Sequence, residues 1–223
     1  MRQLLIFVKE PTPGRVKTRL ANAVGPDAAA GLYRACTELT LARLASFQTE
    51  SVVCVDPPDA VDRVSRWLGP DRTYQPQRGS DLGERLAHAT SFAFSRGAQR
   101  VVVLGTDSPW LTTDDVATAF ETLQRTDVVI GPTDDGGYYL LGLSRASAAL
   151  FYGVSWGTPS VMRQTLSNAR VLRLRVELLR HGYDVDHLKD VERFIEESRR
   201  NGVDEPWMER FVTMSQGREP CQS

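Results

Sequence analysis

"RVVVLGTDSPWLTTDDVATAFETLQ", residues 100–124, decides the fold. Val101 to Leu104 form a short, unbroken, β-branched run that ends at Gly105. That is the signature of a strand buried on both faces, as in a parallel sheet. Pro109 prevents a simple continuation of the strand. A helix over "TTDDVATAFETLQ" follows, with Thr112 or Thr113 as its N-cap. Strand, short polar loop and helix make one half of a βαβ unit.

The same alternation extends in both directions. On the N-terminal side lie "LLIFV" (strand), "GPDAAAGLYRACTELTLARL" (helix), "SVVCVD" (strand), "DAVDRVSRWL" (helix), the weaker strand "RTYQPQ", and a helix over "SDLGERLAHATSFAFS" with Ser80 as N-cap. On the C-terminal side, "DVVIGP" and "YYLLGL" are strands separated by "TDDGG". "RVLRLRVELL" alternates at Leu172, Leu174, Val176 and Leu178 and is expected to be a strand, and "HLKDVERFIEESRR" a terminal helix. The expected fold class is α/β: a mostly parallel central sheet in a single Rossmann-like domain, with helices on both faces. Its expected bounds are residues 1–200. Residues 201–223 would form an extension, partly helical and then frayed.

Composition narrows the function classes. Lys plus Arg number 27 against 28 Asp plus Glu, a net charge of −1. No global attraction to nucleic acid or to an anionic membrane follows, so anion binding must come from a local cluster. Cys36, Cys54 and Cys221 have neither metal-ligand spacing nor a disulfide framework, which fits a reducing cytoplasm. "LLIFV" is too short for a secretory signal core or a membrane span, so a cytoplasmic location without membrane insertion is expected.

In open parallel sheets, ligands bind at the carboxyl ends of the strands. "KEPTPGRVKTR" follows the first strand. Pro11 and Pro13 stiffen this loop, and Gly14 permits an unusual turn. Arg15, Lys17 and Arg19 supply charge at the start of a helix whose N–H groups are free. Arg15 and Arg19 would share a face if the helix began by Arg15. The combination suits phosphate; the plainer alternative is a solvated basic turn. It is neither a P-loop nor a dinucleotide fingerprint. Asp107, just past the third long strand, could hold a hard cation or cap a turn. In "TDDGGYY", Gly136 and Gly137 leave room for a ligand or for another backbone, and Asp134 and Asp135 cannot both face one small site. In "YDVDHL", Asp184 and Asp186 share a face if the segment is extended. One of them could join Asp107 at a metal, or cap the helix that follows.

Five motifs occur in an order that resembles a known family: "KEPTPGRVKTRL", "GSDLGER", "GTDSPWL", "DGGYYLLG" and "DVD". They resemble the glycosyltransferase-like proteins called radical-SAM/selenodomain-associated transferases, of the nucleotide-diphospho-sugar transferase superfamily with the GT-A fold. The likeness runs over about residues 3–200. It implies a transferase with a nucleotide-activated donor, and among its relatives are the guanylyltransferases of molybdenum-cofactor and phospholactate metabolism. It further implies a nucleotide site at Pro13, Gly14, Arg15, Lys17, Arg19, Asp81 and Gly83, the last giving backbone access. Asp107 and Asp186 would hold Mg²⁺ or Mn²⁺. Asp134, Gly136, Gly137, Tyr138 and Trp156 would face the donated group or a small-molecule acceptor. Asp107 and Lys17 would act in catalysis, with Asp135 as base if the reaction is glycosyl transfer. Thr106-Asp107-Ser108 stands where many GT-A glycosyltransferases carry D-x-D, which is closer to the nucleotidyltransferase pattern. Three functions follow: glycosyl transfer as first expectation, nucleotidyl transfer with release of pyrophosphate, and a non-catalytic nucleotide-binding module. The sequence leaves the oligomeric state open.

Overall fold

The computed structural model of the chain describes residues 1–203 together with Trp207 and Met208. Most of the expected C-terminal extension over 201–223 therefore lies outside the described residues. The order of elements is β1 (Arg2–Lys9), α1 (Thr18–Val24), α2 (Pro26–Arg43), β2 (Ser51–Asp56), α3 (Val61–Leu68), β3 (Thr73–Pro76), α4 (Leu82–Ser95), β4 (Arg100–Leu104), α5 (Thr113–Thr122), β5 (Val128–Pro132), β6 (Tyr138–Leu143), α6 (Val161–Val171), β7 (Val176–Leu178) and α7 (Leu188–Arg200). Short 3₁₀ turns stand at Ala45–Glu50, Pro58–Ala60 and Ala148–Phe151. None of the described helices is long and apolar enough to cross a membrane.

The chain resolves into two compact units with interleaved segments. One comprises Met1–Glu10, Arg43–Gly105 and Leu111–Tyr183; the other Pro11–Ala42, Thr106–Trp110 and the described residues from Asp184 onward. Among the described residues, seven strands lie in the first unit, in the order β3-β2-β1-β4-β6-β5-β7. Every pairing is parallel except those of β6, which runs antiparallel to both β4 and β5. The expected α/β class, with a mostly parallel sheet flanked by helices, is what the structure shows.

The unbroken apolar runs are explained by burial on both sheet faces. Leu5, Val101, Val103, Val128, Ile130, Leu141 and Leu143 join one core cluster with Leu86, Ala89 and Ala93 of α4 and Ala169 of α6. Successive strand side chains point to opposite faces, so Leu4, Ile6, Val8, Val102, Leu104 and Val129 lie on the other face, and all six are buried. Leu123, at the end of α5, and Val129 both border Gly142 on that second face.

Three local expectations need correction. The helix after the first loop starts at Thr18, so Arg15 stands outside it and shares no helical face with Arg19; Arg15 N–H closes a turn on the Thr12 carbonyl at 3.0 Å. The N-cap of α4 is Asp81, whose Oδ1 accepts from Glu84 N–H at 2.8 Å; Ser80 donates instead to Glu84 Oε2. "RVLRLRVELL" is mostly not strand. Helix α6 runs through Val171, Arg173 turns back with φ 54°, and only Val176–Leu178 pairs with β5. Leu172 and Leu178 are exposed while Leu174 and Val176 pack against the core cluster, so the alternating residues share no single buried face.

Candidate functional site

The second unit gathers the cations of the first loop and the separated aspartates. Lys17 caps α1 with its own backbone in the left-handed region (φ 46°, ψ 44°), where its carbonyl accepts from Ala21 N–H at 2.8 Å. That conformation costs a residue with a Cβ about 1–2 kcal/mol. It accompanies a side chain that is 1% exposed, with its Nζ 2.5 Å from Asp107 Oδ1 and 3.3 Å from Asp186 Oδ1. Arg19 Nη1 reaches Asp186 Oδ2 at 3.4 Å from a more exposed position. Arg15 is exposed, and Gly14 takes φ 76°. Lys17, Arg19, Asp107 and Asp186 thus meet as one centre.

The two aspartate loops are tied together. Val185 N–H donates to the Asp107 carbonyl at 2.8 Å, and Ser108 Oγ donates to Asp184 Oδ1 at 2.6 Å. Neither Asp184 nor Asp186 caps α7. His187 is the N-cap, and Asp190 Oδ2 accepts from the His187 and Asp186 N–H groups. Behind the centre, Thr37 Oγ1 bonds Thr106 Oγ1, which bonds Tyr33 Oη. Asp184 and Ser108 flank residues read from the sequence, and the alternation in "YDVDHL" was the signal for the former.

The electrostatics follow from burial and charge pairing. Burial alone would lower the Lys17 pKa; the Asp107 carboxylate, then Asp186, outweigh it and raise it well above the usual lysine value. The ammonium is therefore charged at any working pH. Asp184 is pushed up to about 7, first by desolvation and then by the negative charge of Asp107, with Ser108 and Lys17 opposing. Burial pushes the nearby Cys36 thiol up to about 12, which makes it an inert packing group.

The first unit carries the remaining residues named from the sequence. Asp135 Oδ1 accepts from Thr133 Oγ1 at 2.6 Å and from Gly137 N–H at 3.0 Å, so this carboxylate holds the β5–β6 turn. Asp134 is exposed, with an oxygen 3.6 Å from His181 Nδ1. Gly136 adopts φ 85°, and a Cβ there would overlap the Pro159 carbonyl; of the two readings of this glycine, the close approach of another backbone is the one seen. Gly83 is buried in the first turn of α4, and the indole Nε1 of Trp156 would lie 2.5 Å from a Cβ placed on it. The space over Gly83 is filled by Trp156, whose ring also meets Tyr138 edge-on. Asp81 spends its carboxylate on the helix cap.

Among the described residues, no group of three or more His, Cys, Asp or Glu is arranged to hold a metal ion. Asp107 and Asp186 nevertheless aim hard oxygen donors at a single cationic atom. Two carboxylates completed by phosphate oxygens and water are a common site for Mg²⁺ or Mn²⁺, so the donor set fits such an ion.

Comparison with known proteins places the chain. The model of a family described as "Uncharacterized protein conserved in bacteria (DUF2064)" matches residues 40–158. A crystal structure from Desulfovibrio desulfuricans G20, titled as a candidate nucleotide-diphospho-sugar transferase, is 36% identical and superposes with a TM-score of 0.89 over 97% of this chain and 95% of that one. A phosphoenolpyruvate guanylyltransferase from Sphaerobacter thermophilus is 29% identical over 118 residues, 52% of this chain and 56% of its own length. The matched stretch thus spans little more than half of that relative. A 4-diphosphocytidyl-2C-methyl-D-erythritol synthase from Anaerococcus prevotii shares the fold, with a TM-score of 0.58 at 11% identity over 89% of this chain and 99% of that one.

Proposed function

The chain belongs to the DUF2064 family, and from there we propose that it is a metal-dependent nucleotidyltransferase. It would join a nucleoside triphosphate to a phosphorylated small-molecule acceptor and release pyrophosphate. The observation that carries this is the convergence of Lys17, Arg19, Asp107 and Asp186 on one centre. An acceptor phosphate oxygen attacks the α-phosphorus, a new P–O bond forms, and the bond to the pyrophosphate oxygen breaks. Negative charge gathers on the leaving group, where Lys17 and Arg19 are suited to meet it. Asp107 and Asp186 would hold Mg²⁺ or Mn²⁺, which when bound supplies further charge neutralisation. Such an acceptor arrives as an anion and needs no protein base.

That last point separates the two transfer reactions. Inverting glycosyl transfer calls for a carboxylate base near the acceptor hydroxyl. Asp135, the residue expected in that role, is engaged with Thr133 and Gly137 in its own turn. Glycosyl transfer from a nucleotide-diphospho-sugar stays as the second reading, favoured by the name given to the Desulfovibrio structure.

The test is a binding and turnover screen of nucleoside triphosphates and nucleotide sugars with Mn²⁺. Triphosphate binding, with pyrophosphate released on adding phosphorylated acceptors, is the expected result. Turnover of nucleotide sugars with release of a nucleoside diphosphate would select the second reading, and binding of neither class would overturn both. Asp107→Asn should abolish the Mn²⁺-dependent tightening of nucleotide binding. If Mn²⁺ still tightened binding in that variant, the metal would lie elsewhere.

A further inference from the structure

Three carboxylate oxygens of the centre are already engaged by protein cations: Asp107 Oδ1 and Asp186 Oδ1 by Lys17, and Asp186 Oδ2 by Arg19. The two negative charges of Asp107 and Asp186 face the two positive charges of Lys17 and Arg19, so these four side chains balance without any metal. A divalent ion entering beside both cations would leave an excess of two positive charges in a partly buried space. We propose that the Lys17 ammonium is the resident cation of this site, standing between Asp107 and Asp186 in place of a divalent ion, and that metal and donor phosphate enter together by exchanging for it. The proposal rests on reading these two aspartates as metal ligands.

The exchange has a physical logic. The Lys17 side chain is 1% exposed, whereas Asp107 is 49% exposed, so the aspartate is open to an arriving ion while the lysine is not open to solvent. Lys17 Nζ is paired with both carboxylates, so it leaves them as a cation and needs another anion. The phosphates of a donor are that anion, and the flexible four-carbon stem of lysine permits the swing. Metal frees Lys17 for phosphate, and phosphate draws Lys17 off the carboxylates. By linkage, each ligand then raises the affinity for the other by the same factor.

The experiment measures Mn²⁺ binding to the full chain, without nucleotide, by electron paramagnetic resonance of the free ion. Lys17→Met keeps the stem and removes the charge. It should bind Mn²⁺ roughly tenfold or more tightly than the unaltered protein, the worth of one displaced charge-assisted hydrogen bond. Its melting temperature should be low in metal-free buffer and recover with Mn²⁺. Equal or weaker Mn²⁺ affinity in a cooperatively melting Lys17→Met would overturn the exchange.

A measurement on the unaltered protein covers the case in which that variant does not fold. Amine labelling read by peptide mass spectrometry should find Lys17 protected without metal and labelled at saturating Mn²⁺. Protection that persists at saturation would also overturn the exchange. If neither protein bound Mn²⁺ while nucleoside triphosphate still bound, the exchange would fall with the metal assignment and the nucleotide donor would stand. Tight Mn²⁺ binding by Lys17→Met, with no nucleotide binding by the unaltered protein, would leave the displacement of Lys17 by metal standing and remove the transferase reading.

Discussion

Lys17 shows how far a single residue can be read. Its place in "GRVKTR", among other cations after the first strand, marks it for anion binding. Nothing in the local sequence announces that its ammonium is buried against two aspartates, 90 and 169 residues further along the chain. Glycines behave alike: the pair at 136 and 137 signals a close approach, and the approaching group is the Pro159 carbonyl. Gly136→Ala should therefore destabilise the protein by about 1–2 kcal/mol from the left-handed backbone alone, with more from the overlap, because the obstacle is backbone and cannot rotate away. Thermal melting would check this; an unchanged melting temperature would mean that the β5–β6 turn and Pro159 can separate freely.

At the scale of elements, helix α5 is fixed by its first turn. Asp115 Oδ2 accepts from the N–H and the hydroxyl of Thr112, and both carboxylate oxygens take a bidentate grip from Arg180 at 2.6 and 2.7 Å. Partial burial opposes ionisation, but Arg180 and Thr112 outweigh it and hold the Asp115 pKa below its ordinary 3.8. A depressed pKa in the folded state stabilises above the unfolded value, and that stability is lost as pH falls through the lower folded value. Asp115→Ala should cost about 1–2 kcal/mol at neutral pH, discounted because Arg180 is largely exposed. The gap to the unaltered protein should narrow below about pH 4, as the unaltered protein loses the same interaction. Chemical denaturation at pH 7 and pH 3.5 would measure it, and a gap independent of pH would assign the effect to lost packing. Legibility varied among elements for a physical reason. Strands β1, β2 and β4 were plain because burial on both faces demands continuous apolar runs. The stretch before β7 misled because Leu172 and Leu174 alternate without a shared buried face.

For the whole molecule, sheet order sets which parts hold longest. β1 lies between β2 and β4, with both faces buried, whereas β3 and β7 are four- and three-residue edge strands that stay partly exposed. Amides of Leu4–Val8 and Val101–Leu104 should exchange hydrogen only by global unfolding, and those of β3 at least roughly tenfold faster through local opening. Hydrogen-exchange mass spectrometry would decide, and uniform protection across β1 and β3 would contradict it. By itself the sequence determined the α/β class, most strands and helices, and the residue types of a phosphate and metal chemistry, because buried runs, helix caps and loop cations are local patterns. Only the tertiary structure decided that β6 runs antiparallel between β4 and β5, that Lys17 lies buried between Asp107 and Asp186, and that Asp135 and Gly83 serve their own turn and their own tryptophan. Strand direction and charge pairing depend on contacts between segments far apart in the chain, and no local pattern encodes which distant partner a side chain will meet.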